Sequence, residues 1–414
     1  MIKDLQIKIP RVVITGLGAV TPLGLTVTDF WQGLIYGRSG VGPLTIFDNT
    51  IYPIKIAAEV KGFDPTKYLD LKRIDRTGRC THFGIAAAKM AIESAKLDMS
   101  QEKPERVGVI LATSGMMATL VDYADVIKTR PMRVDPLLIN RIAPNMVPCH
   151  VALEIGAKGP NTSVNSACAS GSDAVGEALN HLRLGHAEVM LAGGSETTIS
   201  QMAIASLARV GALSKETDPQ KASRPFDLNR NGFVYGEGAG VLVLETLEHA
   251  QRRGAPILAE LAGAGWSFDA YNDTAPDAEM QAVAMKAALR SAGMSPEEID
   301  CINAHGTSTK LNDAAETKAI KIVFGERAYK IPASSNKSMI GHLACGAGAV
   351  EAVAAVMTIK EGIIPPTTNY ETPDPDCDLD YVPNKARRQQ VNACLSNSFG
   401  MGGQNSCLVI RKFH

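Results

Sequence analysis

At 414 residues, the chain is long enough for roughly two to four ordinary domains or one large body of two similar halves. With 45% hydrophobic and 21% charged residues it has the composition of a globular enzyme, which excludes a disordered chain. The net charge of -1 excludes a globally basic nucleic-acid binder, and without a run of about 18 apolar residues no membrane insertion is expected.

In chain order, the start MIKDLQIKIPRVVITGLGAV carries an apolar stretch after basic residues. Asp4 and the alternation in LQIKIPRVVI nevertheless predict a first strand, Arg11–Thr15, rather than a secretory leader. A helix over Thr81–Leu97 and a strand over Val107–Thr113 follow. Strand Thr162–Ser166 then runs into helix Asp173–Leu184, and strands Val189–Gly193 and Gly240–Glu245 come next. Beyond these come helix Ala278–Ala292, strand Ile299–Ala304, helix Asp313–Phe324, strand Ile331–Ser335 and helix Gly348–Glu361. Strands Val391–Asn397 and Ser406–Arg411 close the chain. Several strands are apolar throughout, which predicts sheets covered by helices on both faces, an α/β fold.

Two internal echoes sharpen this. SACASGSDAVGEALNHLRLG (166–185) resembles HLACGAGAVEAVAAVMTIKEG (342–362), and VVITGLGAVTPLG near the N-terminus loosely matches CINAHGTSTKLND near position 300. Both have small residues leading into a helix or turn, in the same order. They predict a duplicated layered fold whose halves, 1–255 and 256–414, form one compact body.

The eight cysteines show no CxxC spacing, which predicts free thiols in a reducing cytoplasm rather than disulfides or a zinc site. Cys168 stands where a strand runs into a helix. Unpaired N–H groups and the helix dipole at such a corner predict a stabilised thiolate with a lowered pKa. Its neighbours Ser166, Ala167, Ala169, Ser170 and Gly171 are small, which predicts room for a bulky acyl group. His305 and His342 stand at the exits of successive strands in INAHGTSTK and NKSMIGHLACG, without HxxxH or CxxH metal spacing. The turn NSFGMGG (397–403) can point main-chain N–H groups into a pocket, as an oxyanion hole requires. GLGAVTPLG (16–24) lacks the third glycine of a dinucleotide site.

Taken together, these stretches resemble the β-ketoacyl-acyl-carrier-protein synthases of the thiolase-like superfamily, especially the elongating type II enzymes. The resemblance runs through RVVITGLGAVTPLG, GPNTSVNSACASG, AGGSE, SRPFDLNRNGFVYGEGAGVLVLE, NAHGTST, NKSMIGHLACGAG and NSFGMGG. It implies a five-layered αβαβα sandwich built from two duplicated halves, a homodimer, and substrates carried on the phosphopantetheine arm of an acyl carrier protein, with no bound cofactor or metal. It further implies that Cys168 accepts an acyl chain, that His305 and His342 stabilise the enolate from decarboxylated malonyl-carrier protein, and that the N–H groups of Cys168 and Met401 form the oxyanion hole. Lys337 is implied to orient the histidines, paired with Glu316. Thr307 and Thr309 match pantetheine-binding positions, and Met116, Phe399 and Met401 match the acyl pocket and its gate.

Departures from the family pattern include Met401 at a usual phenylalanine, Met116 at a position that sets pocket depth, and Lys310 at a common proline. In KGFDPTKYLDLKRIDRTGR (61–79), Lys72 and Arg73 match carrier-protein docking positions, with Arg133 as an addition. The expected reaction is elongation of a fatty acyl chain. The alternatives are a polyketide-type ketosynthase and a non-catalytic chain-length partner, although the latter should lack Cys168 or a histidine.

Overall fold

The structure is a computed structural model, and the described residues are 9–115 and 117–414. Ten strands make the main sheet: β1 (Val12–Val20), β2 (Val107–Ala112), β3 (Asn161–Val164), β4 (Val189–Glu196) and β5 (Gly238–Thr246), then β6 (Ala259–Phe268), β7 (Cys301–Asn303), β8 (Ala333–Ser334), β9 (Ala393–Phe399) and β10 (Gln404–Arg411). The helices that position the site and its layers are α1 (Arg79–Ala95), α2 (Met146–Ile155), α3 (Ser170–Arg183), α4 (Ala278–Ala292), α5 (Lys310–Phe324) and α6 (Ala347–Glu361).

The strand order is β8-β7-β9-β10-β6-β1-β5-β4-β2-β3. Each set of five reads the same way outward from the centre. β1 pairs antiparallel with β5, β5 antiparallel with β4, and β4, β2 and β3 run parallel. β6, β10, β9, β7 and β8 repeat those orientations. Only two residue pairs, Val13 with Glu260 and Ile14 with Ala259, join the sets through β1 and β6.

Burial sets the layers. α3 and α6 pack on each other and touch strands of both sets, whereas α1 lies on β1 and β5, and α4 on β6 and β10. A helix in the middle layer has no solvent face. Accordingly, every residue of α6 from Ala347 to Thr358 is buried, and the run AGAVEAVAAVMT is small and apolar but for Glu351 and Thr358. The result is the layered α/β sandwich predicted from the apolar strands.

The repeat also corrects one of the two echoes. α3 and α6 hold equivalent places, each entered after the third strand of its set. By contrast β1 and β7 are not equivalent, because β7 corresponds to β2 and β1 to β6. β6, AELAGAGWSF, went unpredicted because its alanines and glycines have low strand propensity. Among the described residues, no helix is long and apolar enough to cross a membrane.

Candidate active site

β7 and β9 end, and α3 begins, around one cavity of about 470 Å³. Its wall includes Cys168, His305, His342, Thr307, Thr309 and Phe399, and the turn Gly400–Gly403. The carboxyl ends of parallel strands, where α/β folds expose unpaired backbone groups, therefore supply most of the reactive side chains.

Cys168 follows Ala167, which is held in the left-handed region at φ 51, and precedes the first turn of α3. Burial pushes its thiol above the ordinary value; the N–H of Met401, the Lys337 ammonium and its own N–H pull the other way. The lowered pKa expected from the helix terminus is thus reversed by desolvation. The small residues after Cys168 also have another use. A Cβ on Gly171 would come within 2.6 Å of Ala349 N, and one on Gly348 within 2.5 Å of Ser172 Oγ. Gly171 and Gly348 therefore let the two middle helices approach; Gly171 does not serve as clearance for a substrate.

The histidine rings lie 5.4 Å apart, nearly perpendicular at 84°. Phe399 packs against His305 at 5.6 Å, and Phe233 edge-on against His342 at 5.1 Å. His342 Nδ1 accepts the N–H of Ala344 at 3.2 Å, which puts the ring proton on Nε2. That Nε2 is buried with no protein partner, as is Nδ1 of His305. Burial, reinforced by the Lys337 ammonium, holds both imidazoles well below their usual range, so both are neutral at physiological pH. A neutral ring with a fixed Nε2–H is a hydrogen-bond donor that brings no positive charge of its own.

The partner expected for Lys337 is corrected. Its ammonium bonds to Glu351 of α6, and both side chains are 1% exposed. Burial raises the Glu351 carboxyl to about 7 against the attraction of Lys337. Glu316 instead accepts the N–H groups of His305 and Gly306, both at 2.8 Å, and the amide of Asn397 at 3.1 Å. It holds the His305 loop by its backbone. Glu351 escaped notice because a lone acidic residue in an alanine-rich helix carries no motif.

Thr307 and Thr309 line the cavity with their hydroxyls 2.8 Å apart. Two further residues were missed by sequence. Asp313 accepts Thr307 N–H at 3.0 Å, and the buried Arg230 lies 3.4 Å from Asp313 while donating to the carbonyls of Thr309 and Lys310, each at 3.0 Å. Arg230 lies inside the quoted stretch SRPFDLNRNGF, but only folding brings it to the 307–310 loop. Phe399 is 5% exposed, whereas Met401 is 46% exposed at the tip of its turn. Met116 lies outside the described residues.

Of the docking residues, Lys72 is exposed on the short helix Leu71–Arg76. Arg73 is half-buried, 3.7 Å from Glu154, and Arg133 is exposed. Arg79 is partly exposed but tied to the buried Glu237 at 2.7 Å.

Residues 10–250 match the N-terminal domain of β-ketoacyl synthases, and residues 258–371 their C-terminal domain. The chain is similar to the 3-oxoacyl-acyl-carrier-protein synthase 2 of Synechocystis sp., 46% identical over 97% of this chain and 98% of that protein. The protein of the same name in Coxiella burnetii is 45% identical over the same shares. Among solved structures, the ishigamide ketosynthase/chain length factor superposes with a TM-score of 0.93 at 36% identity, covering 98% of this chain and all (100%) of that one. A type II polyketide acyl-carrier protein in complex with its ketosynthase bound to the hexaketide gives 0.90 at 36% identity, again over 98% and 100% of the chains. With both domains matched in order and curated relatives alike along almost the whole length, the chain belongs to the β-ketoacyl synthases.

Proposed function

We propose that the protein catalyses a decarboxylating Claisen condensation between an acyl chain bound to Cys168 and malonyl-acyl carrier protein, giving 3-oxoacyl-acyl carrier protein in fatty acid elongation. The observation that carries this is the convergence of a thiol, two main-chain donors and two neutral histidines on one cavity.

In the first half-reaction, Cys168 Sγ attacks the acyl thioester carbonyl while the N–H groups of Cys168 and Met401 hold the oxyanion. The carbonyl re-forms, the pantetheine sulfur leaves, and the proton given up by Cys168 ends on it. In the second, malonyl-carrier protein loses CO2, and the negative charge that develops on its thioester oxygen is met by His305 and by His342 Nε2–H. The enolate carbon attacks the Cys168 acyl carbonyl, and collapse expels the cysteine sulfur as a thiolate that takes one proton from water. Burial, helped by Lys337 fixed to Glu351, keeps both rings neutral; Glu316 fixes the His305 backbone. Thr307 and Thr309 hydrogen-bond the pantetheine amides, and Met116, Phe399 and Met401 shape and gate the acyl pocket.

Fatty acid elongation is favoured over a polyketide pathway because relatives named 3-oxoacyl-acyl-carrier-protein synthase 2 reach 46% identity, against 36% for the polyketide structure. Acidic carrier protein docks at Lys72, Arg73 and Arg133. A homodimer forms through the edge strand β3, whose Asn161 and Thr162 are exposed beside Leu153 of α2, itself 58% exposed. The eight free cysteines fit a reducing compartment, the cytoplasm.

The test is to incubate the protein with acyl-carrier protein, locate the adduct by mass spectrometry, then add malonyl-carrier protein and identify the product. An adduct on Cys168 that converts to 3-oxoacyl-carrier protein is expected. No adduct, or none that is extended, would overturn the reading. Size-exclusion chromatography with light scattering tests the dimer.

A further inference from the structure

Beneath Cys168 lies a carboxylate that the reaction scheme leaves unused. Ala167 occupies the left-handed region, which is strained for a non-glycine residue, so the Ser166–Cys168 elbow depends on its neighbours. Ser170 braces it from within the helix: its Oγ accepts Ser166 N–H at 2.8 Å and donates to Ala167 O at 2.5 Å. Asp173, about one turn further along α3, accepts the Ser166 hydroxyl on Oδ2.

Asp173 is also where the two halves meet under the elbow. Trp266 of β6 lies flush on α3, where a Cβ on Gly176 would come within 2.5 Å of the indole. Burial raises the Asp173 carboxyl, while Ser166, Ser406 of β10 and Trp266 favour its charged form. Its second oxygen, Oδ1, and Ser406 Oγ are buried without completing a hydrogen bond. Leaving such groups short of partners is costly, which marks Asp173 as more than a packing residue.

Ser166 faces a second way. Its carbonyl sits against Gly400, where a Cβ would stand 2.5 Å away. One serine is therefore clamped between the Asp173 carboxylate and the turn that carries Met401. The hydrogen bond of Asp173 is to Ser166, two residues before Cys168, so its hold on the nucleophile is geometric.

We propose that Asp173 is a positioning residue for the nucleophile: by accepting the Ser166 hydroxyl it fixes Ser166 against Gly400, and so sets the Cys168 sulfur and the Met401 N–H relative to each other. Asp173 has this role only if Cys168 is the acylated nucleophile.

Acylation needs the elbow, whereas decarboxylation of malonyl-carrier protein needs the histidines, so the two partial reactions separate positioning from general damage. In Asp173→Ala and Ser166→Ala, acylation of Cys168 should slow by about tenfold or more, while decarboxylation by the folded protein stays near wild type. Asp173→Asn keeps an acceptor oxygen and should restore most of the rate. The double variant Ser166→Ala/Asp173→Ala should be no slower than either single one, as expected for coupled partners. Wild-type acylation in Asp173→Ala, additive losses in the double variant, or equal losses of both partial reactions would each overturn the role. A wild-type protein that forms no Cys168 adduct overturns the nucleophile assignment instead, and the role of Asp173 with it.

Discussion

Replacing Gly400 by alanine isolates the oxyanion turn from everything else in the site. Gly400 has no positive φ, so an alanine backbone fits there and only the added methyl matters. That Cβ would stand 2.5 Å from Ser166 O, where real contacts keep at least 3.0 Å, so something must retreat by about 0.5 Å. Ser166 cannot easily yield, because Asp173 and Ser170 hold it. The 400–403 turn must move instead, stretching Gly400 N–H to Gln404 O, now 2.6 Å, and Gly402 N–H to Asp273 O, now 3.0 Å. Met401 N–H moves with it. Loss of one oxyanion donor costs about 10²–10³ in rate, and a displacement of this size belongs at the lower end, about 10²-fold in acylation. The assay follows acyl transfer to Cys168 by intact mass, with malonyl-carrier-protein decarboxylation as the control, expected within about threefold of wild type. Met401→Ala keeps the backbone donor, so it should lose far less acylation rate than Gly400→Ala while changing the acyl-chain preference set by the gate. A folded Gly400→Ala protein that acylates within about threefold of wild type would refute the oxyanion role of this turn.

Lys72→Glu combined with Arg73→Glu should slow carrier-protein-linked turnover by about tenfold at low salt and leave acylation by a small-molecule thioester intact; equal losses in both assays would remove the docking patch. Lys337→Met removes the ammonium that, after burial, holds His305 and His342 down. Both imidazoles should then titrate at higher pH, moving the acid limb of the decarboxylation profile upward; an unmoved limb refutes the electrostatic role. His249 gives a stability prediction. Against burial, hydrogen bonds to Glu245 at 2.6 Å and Glu102 at 3.0 Å raise its pKa. A raised histidine contributes fully below its unfolded value and loses that contribution as pH rises through the folded one. His249→Gln should therefore destabilise by roughly 1.5–3 kcal/mol near pH 6 and by less near pH 9, measured by denaturant unfolding; equal effects at both would refute it.

Chemistry-bearing residues were legible wherever function forced a local pattern: a cysteine at a strand–helix corner, histidines at strand exits, glycines in a tight turn. The α/β architecture was legible from apolar strands, yet β6 was not, since its alanines and glycines are chosen to let α4 pack closely rather than to favour a strand. A Cβ on Gly265 would come within 2.1 Å of Ala288 N. Glu351 and Arg230 are polar residues whose partners lie 14 and about 80 positions away, so their roles exist only in the folded chain. The thiol pKa was misread because a helix terminus is visible in sequence and the burial that outweighs it is not.

The middle layer has a consequence for how substrates enter. Because α3 and α6 grip each other and strands of both sets, the two sets share a spine and lack a hinge. Clamshell closure over a substrate is unavailable to such a body. Traffic to Cys168 must be managed by short segments at the cavity mouth, chiefly the 400–403 turn and the 269–276 loop bonded to it, so the doorway can change while the reaction floor stays still.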